Sequence, residues 1–153
     1  MSYIDQNLIK GENVIYRTKL HWIIFVQPVF FLIISFIFLS FATTVDFAGM
    51  FGAILLILSI IDLIVVIINY ITSEFGITDK RVLVKYGVIK RKSVETLIKK
   101  VEGISVDQSI FGRILGYGII TISGTGGTKE PFKRIAKPME FRKQLNELID
   151  KNS

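Results

Sequence analysis

The chain has 153 residues, of which 50% are hydrophobic and 21% are charged, and it carries a formal net charge of +6. No Lys or Arg occurs between Trp22 and Asp79. This distribution excludes a single soluble globule, because the amphipathic elements of a globule bring polar residues back every few positions. The chain has no Cys, which excludes thiol chemistry. Its single His, His21, is too few for a His-based metal site and argues against a Ser/His/Asp triad. The acidic residues are dispersed, so we predict a protein that is not an enzyme and has no cofactor or metal.

Two long apolar runs follow an N-terminal segment of residues 1–21. Residues 22–42 and 50–71 each reach the roughly 20 apolar residues that cross a hydrocarbon core of about 30 Å. Because residues 43–49 allow only a short connection, the runs predict a transmembrane helical hairpin. A signal peptide fits the first run poorly, since its apolar stretch is too long and a second run follows. Pairs of small residues, Ala48-Gly49 and Gly52-Ala53, predict a close approach of two helix backbones, either within the hairpin or in an oligomer.

The basic residues near the two runs predict the orientation of the hairpin. Lys10, Arg17 and Lys19 precede the first run, more follow the second, and the short connection has none. The positive-inside rule then gives a multi-pass protein of the cell membrane with both termini in the cytoplasm and an extracytoplasmic loop at residues 43–49. The amphipathic rings at the inner interface, His21, Trp22 and Tyr70, are predicted interface anchors.

Asp62 is the one ionisable residue in the core of the predicted spans. Such a residue faces protein rather than lipid, since a charge at the bilayer centre is costly. We predict an intramembrane polar contact in which Asp62 meets a neighbouring helix through Ser35 or Ser59. Partner recognition and a place on an ion or proton path are the alternatives, and the last is weakened because no second carboxylate or Lys is present to relay a proton.

Residues 72–153 form a predicted cytoplasmic domain. Alternating apolar residues separated by Gly-containing turns predict several short antiparallel strands, and Pro138 opens an amphipathic helix over about 138–150. The predicted fold class is therefore α+β, a small barrel or sandwich closed by a C-terminal helix. Residues 111–118 are predicted to be a bulged corner between sheets. The Gly-rich stretch 124–128 is predicted to be a hairpin loop and not a phosphate cradle, because no helix or Gly-Lys-Ser/Thr follows it.

Several motifs resemble the membrane-anchored bacterial PH-like (pleckstrin-homology-like) domain family, formerly a domain of unknown function. The matching stretches are Gly11-Glu12, 74–83 (EFGITDKRVL), 87–89 (GVI), 100–104 (KVEGI), Gln108-Ser109, 111–118 (FGRILGYG) and Pro138-x-x-Phe141. The resemblance implies a PH-like fold, with about seven antiparallel strands in two near-orthogonal sheets and a capping helix, joined to a two-span anchor. It implies no catalytic residue, and it does not by itself imply phosphoinositide binding.

The basic residues of the domain are the most obvious candidate for a binding site. Residues 72–153 hold 16 Lys and Arg against 9 Asp and Glu, a net charge of +7. Beside an anionic leaflet each basic residue contributes about 1 kcal/mol at most. The candidate lipid- or partner-binding residues, called the basic set below, are Lys80, Arg81, Lys85, Lys90, Arg91, Lys92, Lys99 and Lys100. Solvated strand faces explain the same charges, and both interpretations stay open. Nucleic acid is not a predicted partner, because only Tyr86 supplies an aromatic ring within the basic run.

Two classes of function remain. The first is a non-enzymatic, membrane-anchored binding or assembly module at the inner face of the membrane. It recruits a protein partner, assembles as a homo-oligomer or with a related PH-like membrane protein, or contacts anionic lipid. The second is a subunit or accessory component of an oligomeric transporter, exporter or channel, with Asp62 in the membrane path.

Overall fold

In the computed structural model, which describes residues 3–87, 92–125 and 127–152, the chain forms two compact units. One unit is the apolar stretch Trp22–Ile71. The other combines the N-terminal segment up to His21 with the residues from Thr72 onward. The apolar stretch is thus inserted within the chain of a folded domain, and each unit has its own internal contacts.

The apolar unit consists of two antiparallel helices, which we call the apolar hairpin. A 3₁₀ turn, Trp22–Phe25, leads into α2, Val26–Ser40, and α3 runs over Asp46–Thr72. A Cβ built on Gly52 would lie 3.0 Å from the backbone nitrogen of Leu39, so the predicted close approach at the small residues is confirmed. The helix α3 begins at Asp46, earlier than the predicted 50, because Ala48 and Gly49 pack in its first turns instead of lying in the loop.

The described residues of the second unit form seven antiparallel strands in two sheets. The strands are β1 Val14–Thr18, β2 Glu74–Thr78, β3 Arg81–Tyr86, β4 Lys92–Leu97, β5 Val101–Asp107, β6 Tyr117–Gly124 and β7 Thr128–Ala136. The first sheet has the order β1-β2-β3-β4, and the second has the order β5-β6-β7. The predicted α+β class and the seven antiparallel strands are confirmed.

The core of the domain lies between the sheets and is closed by α5, Pro138–Asn152. This helix contacts β1 in one sheet and β5 and β6 in the other. Its apolar face, Phe141, Leu145 and Leu148, is buried as the helical spacing predicts. In β2 and β3 both faces are buried, with Phe75 and Val84 on one side and Gly76 and Leu83 on the other.

The N-terminal segment covers the outer face of β2 and β3. A short helix, α1, spans Tyr3–Gln6, and its Ile4 is 1% exposed. A Cβ on Gly76 would lie 2.6 Å from Cδ1 of Ile4, so glycine at this position makes room for the Ile4 side chain. Residues 1–21 are therefore part of the domain, as one of its strands and a cover over its first sheet, and not the separate segment that the sequence predicts. The β-branched and aromatic run Val14–Thr18 was the available signal for β1.

Residues 110–115 differ from the prediction of a bulged corner. Ile110–Leu115 forms a short helix, α4, between β5 and β6. The Oγ of Ser109 accepts a hydrogen bond from the backbone N–H of Gly112 at 3.0 Å, and Gly116 ends the helix with a φ of +82°. An N-cap serine and a left-handed C-cap glycine are ordinary signals of helix ends. Only six residues lie between them here, and in so short and glycine-rich a stretch the pattern does not indicate a helix.

Candidate functional site

One edge of the domain carries both connections to the apolar hairpin. The chain leaves β1 at Thr18 for the hairpin and returns into β2 at Glu74. Thr18 pairs with Phe75 across these strands, so the two connections are neighbours. The hairpin therefore occupies the place of a β1–β2 turn.

Backbone pairing extends this edge in both directions. On one side Glu74 pairs with Lys85 and Tyr86 pairs with Lys92. On the other side the backbone N–H of Ala136 donates to the carbonyl of Lys19 at 3.0 Å, and Ala136 pairs with Tyr117 at the start of β6. We call this continuous row of strand ends, from Lys92 through Thr18 to Tyr117, the hairpin edge.

His21, the last residue before the hairpin unit, is built into the hairpin edge. Its backbone N–H donates to the carbonyl of Arg134 at 2.7 Å, and its ring lies 5.4 Å from the ring of Tyr117. The neighbouring Leu20 forms a β-bridge with Ile135. The chain is thus held to the domain up to the residue that precedes Trp22.

The structure divides the basic set between two ends of the first sheet. Lys85 and Lys92 lie at the hairpin edge, whereas Lys80, Lys99 and Lys100 lie at the opposite end, which we call the distal edge. There the backbone N–H of Ile98 donates to the carbonyl of Lys80 at 3.0 Å. The six residues of β3 separate the two edges by roughly 17 Å at about 3.3 Å per residue. A flat surface that meets one end of these strands therefore leaves the other group roughly 17 Å away. Lys90 and Arg91 lie outside the described residues.

Arg81 is engaged inside the domain, so we leave it out of any binding surface. Its Nε donates to the Glu12 carboxylate at 3.0 Å and its Nη1 to Glu95 at 2.6 Å. Glu12 also accepts hydrogen bonds from the hydroxyl of Thr78 at 2.7 Å and from the backbone N–H of Ile9 at 2.8 Å. Burial disfavours the charged carboxylate, but these hydrogen bonds and the charge of Arg81 outweigh it and lower the pKa of Glu12 to about 2. The network fastens the N-terminal segment over β2 and β3.

Further basic residues, outside the basic set, lie along the hairpin edge. A bulge in β7 opposite Ile119 leaves Lys133 and Arg134 both exposed, with Arg134 at a φ of +58°. Lys19, Arg113 and Lys137 are exposed on the same edge. The basic residues named at this edge outnumber its acidic residues, among them Glu74, Asp107 and Glu140, so positive charge is in excess there. Sequence reasoning missed these residues because they are scattered along the chain.

An open cleft of about 510 Å³ lies beside β1 on this side of the domain. Its lining includes Tyr16, Arg17 and Glu140, with charges of both signs. Burial, together with the charge of Glu140 and a hydrogen bond to it, raises the pKa of Tyr16, so this hydroxyl stays protonated at neutral pH. Within the described residues no group of three metal-ligating side chains occurs.

The two serines predicted to contact Asp62 form hydrogen bonds within their own helices. The Ser35 hydroxyl donates to the carbonyl of Leu32 and the Ser59 hydroxyl to that of Leu55, both at 2.7 Å. Asp62 is half-buried on α3, three residues after Ser59. The predicted contact between Asp62 and either serine therefore stays a prediction. Of the predicted anchors, Trp22 is 52% exposed, and the ring of Tyr70 lies 5.3 Å from that of Phe25.

The architecture defines the class of this protein: an α+β domain of two small antiparallel sheets closed by a C-terminal helix. The chain matches the family model described as "Bacterial PH domain" over residues 23–149 and belongs to that family. A crystal structure of a DUF1696 family protein with a pleckstrin-homology domain, from Shewanella loihica PV-4, is similar to it at 15% sequence identity. The similarity covers 52% of this chain and 73% of that one, with a TM-score of 0.42. A comparison with curated proteins finds no match.

Proposed function

We propose that this protein is a non-enzymatic, membrane-anchored PH-like binding module. In this proposal α2 and α3 cross the cell membrane and hold the domain at its cytoplasmic face. One observation carries this proposal: two long apolar helices are inserted between β1 and β2 of the PH-like domain. These helices cover Trp22–Ser40 and Phe47–Thr72.

The surface of the apolar hairpin supports a bilayer as its surroundings. Large side chains along both helices are exposed, among them Phe36 at 61%, Phe47 at 63% and Ile61 at 54%. Only 17% and 11% of the most apolar stretches of the two helices are buried. Helices that are apolar on all sides need either a bilayer or a large protein core around them. A bilayer is the simpler explanation here, because most of both helices is exposed.

The proposed topology gives the two edges of the domain different roles. Since covalent connections of a few residues join the hairpin edge to the spans, this edge faces the leaflet. The distal edge lies roughly 17 Å further away, beyond the Debye length of about 8–10 Å, and faces the cytoplasm. Lys80, Lys99 and Lys100 are then available to an acidic protein partner, a second copy or a related PH-like membrane protein, whereas Lys85 and Lys92 lie near anionic headgroups.

Cysteine labelling tests the topology cleanly, because the chain has no Cys. Thr43→Cys lies in the loop of the apolar hairpin and Lys99→Cys at the distal edge, and both positions are exposed. In intact cells a membrane-impermeant maleimide should label Thr43→Cys alone, and after lysis it should label both. Release of the protein from membranes by alkaline carbonate, or labelling of Lys99→Cys in intact cells, would overturn the proposal.

A charge-reversal variant tests the partner role of the distal edge. Lys80→Glu/Lys99→Glu/Lys100→Glu should lose the proteins that crosslink to the wild type in native membranes. Lys143→Glu, on the exposed side of α5, is the matched control and should retain them. An unchanged crosslinking pattern would remove the distal edge from the proposal and leave the membrane anchor intact.

The transport alternative stays without support from a specific contact. The hydroxyls of Ser35 and Ser59 are used within their own helices, and two helices alone enclose no pore. The variant Asp62→Asn tests this alternative: it should abolish flux without changing membrane assembly if Asp62 lies on a transport path.

A further inference from the structure

The helix α4 presents the most exposed apolar side chains of the described part of the domain. Ile110 is 76% exposed, Phe111 70% and Ile114 75%. The only buried residue of α4 is Gly112, and a Cβ there would lie 2.7 Å from the carbonyl oxygen of Tyr117. The glycine therefore faces the domain while the large apolar side chains face away from it.

The helix is held firmly in this position. Besides its two caps, the side-chain amide of Gln108 donates to the carbonyls of Gly112 at 3.2 Å and of Tyr117 at 2.9 Å. The backbone N–H of Lys137 donates to the carbonyl of Gly116 at 2.9 Å. Capping and side-chain bonds at both ends of so short a helix fix which side chains point outward.

The position of α4 in the domain connects it with the proposed membrane surface. It ends at Leu115, two residues before Tyr117, whose ring packs on that of His21, the residue before Trp22. It thus extends the hairpin edge by one more element. At the distal edge, the exposed apolar residue at the end of β4 is Leu97, with 49% exposure.

Basic side chains accompany the apolar ones. Arg113 lies on α4 itself, and Lys133 and Arg134 project from the β7 bulge beside the start of β6. Arg134 holds a left-handed backbone conformation that non-glycine residues rarely adopt, and such outliers concentrate at functional sites. Apolar side chains with flanking Lys and Arg are the composition of elements that lie in the interface of an anionic membrane.

We propose that α4 is a second membrane contact: Ile110, Phe111 and Ile114 enter the interfacial layer of the bilayer, and Arg113, Lys133 and Arg134 bind anionic phospholipid headgroups. This inference rests on the proposed function, because it requires the apolar hairpin to span the membrane. It would fix the orientation of the domain on the leaflet and make that orientation depend on lipid charge.

The test compares three single-cysteine variants of the full-length protein in nanodiscs of phosphatidylcholine with or without phosphatidylglycerol. Each cysteine carries an environment-sensitive fluorophore, and lipids with a spin label near the headgroup or along the acyl chain act as quenchers. Ile114→Cys reports on α4, Leu97→Cys is the matched apolar control at the distal edge, and Ile57→Cys reports on the apolar hairpin.

The proposal expects lipid quenching at positions 57 and 114 and none at 97. Quenching at 57 without quenching at 114 overturns the inference and leaves the proposed function standing. Loss of quenching at 57 refutes the proposed function itself. A blue-shifted but unquenched probe at 114 also overturns the inference, in favour of a protein contact over α4.

Charge neutralisation tests the headgroup component. One basic residue near an anionic surface is worth about 1 kcal/mol, or roughly fivefold in the ratio of docked to undocked domain. Lys133→Gln/Arg134→Gln should therefore lower this ratio in anionic nanodiscs, by at most about 25-fold. Lys99→Gln/Lys100→Gln at the distal edge should leave it unchanged. Equal quenching at 114 in neutral and anionic nanodiscs would overturn the assignment of anionic headgroups.

Discussion

Replacing Glu12 by Gln should destabilise the domain by about 3 kcal/mol at neutral pH. The pKa of Glu12 falls from an ordinary 4.5 to about 2 in the fold, and each pKa unit corresponds to about 1.4 kcal/mol. Its side chain is fully buried against Arg81, so solvent does not compensate for the lost charge. For a folded unit of about 100 residues, this loss lowers Tm by about 12–24 °C.

The sign of the pH dependence follows from the lowered pKa. Because folding favours the ionised carboxylate, the contribution of Glu12 is complete above pH 4.5 and is lost as the pH falls toward 2. The stability difference between wild type and Glu12→Gln should therefore shrink over this window. Below pH 2 the variant and the wild type should unfold at similar temperatures.

A second carboxylate on the same guanidinium provides the control. Glu95 also pairs with Arg81, but its side chain is 40% exposed, so Glu95→Gln should cost less than about 1 kcal/mol. The assay is thermal unfolding of the full-length protein in detergent, with hydrogen exchange of the α1, β2 and β3 amides as a local measurement. Equal losses in both variants, or a Glu12→Gln loss that stays constant from pH 5 to pH 2, would refute the reasoning.

The remaining predictions concern the elements that shape the hairpin edge and the apolar hairpin. Gly118→Ala should destabilise the domain by about 1–3 kcal/mol in thermal unfolding, since the added Cβ would lie 2.8 Å from the carbonyl oxygen of Asp107. The control is Gly103→Ala, whose Cβ would meet no atom within 4 Å, so the free energy of unfolding should change by less than about 0.5 kcal/mol. Ser109→Ala should remove the N-cap of α4, cost about 1 kcal/mol and raise hydrogen exchange in residues 110–115 with little effect on β2 and β3. Gly52→Leu should separate α2 from α3 and weaken the contact between the rings of Phe38 and Phe51, whose centroids are 4.9 Å apart in the wild type. The measurement is the rate of crosslinking between cysteines introduced at Ala42 and Gly49, and an unchanged rate would contradict this prediction.

Patterns that repeat over neighbouring residues were readable from the sequence. The two apolar runs, the small residues that bring α2 and α3 together, and the apolar face of α5 all depend on spacing within a single element. The strands of residues 72–153 carry alternation and glycine turns, so the class of fold also followed. The number of seven strands came from the family resemblance, and it includes β1, which lies before the apolar hairpin.

The tertiary structure decided which residues share a surface. The strand β1 pairs with residues about 60 positions further along the chain, and no local pattern specifies such a partner. Other contacts between distant residues act in the same way: the β3–β4 pairing divides the basic set between two edges, Glu12 meets Arg81, and Tyr117, which follows α4, packs on His21. The net charge of +6 is a property of composition, but its separation into a hairpin edge and a distal edge exists only after the sheets form, because strand register decides which end of the domain each Lys and Arg occupies.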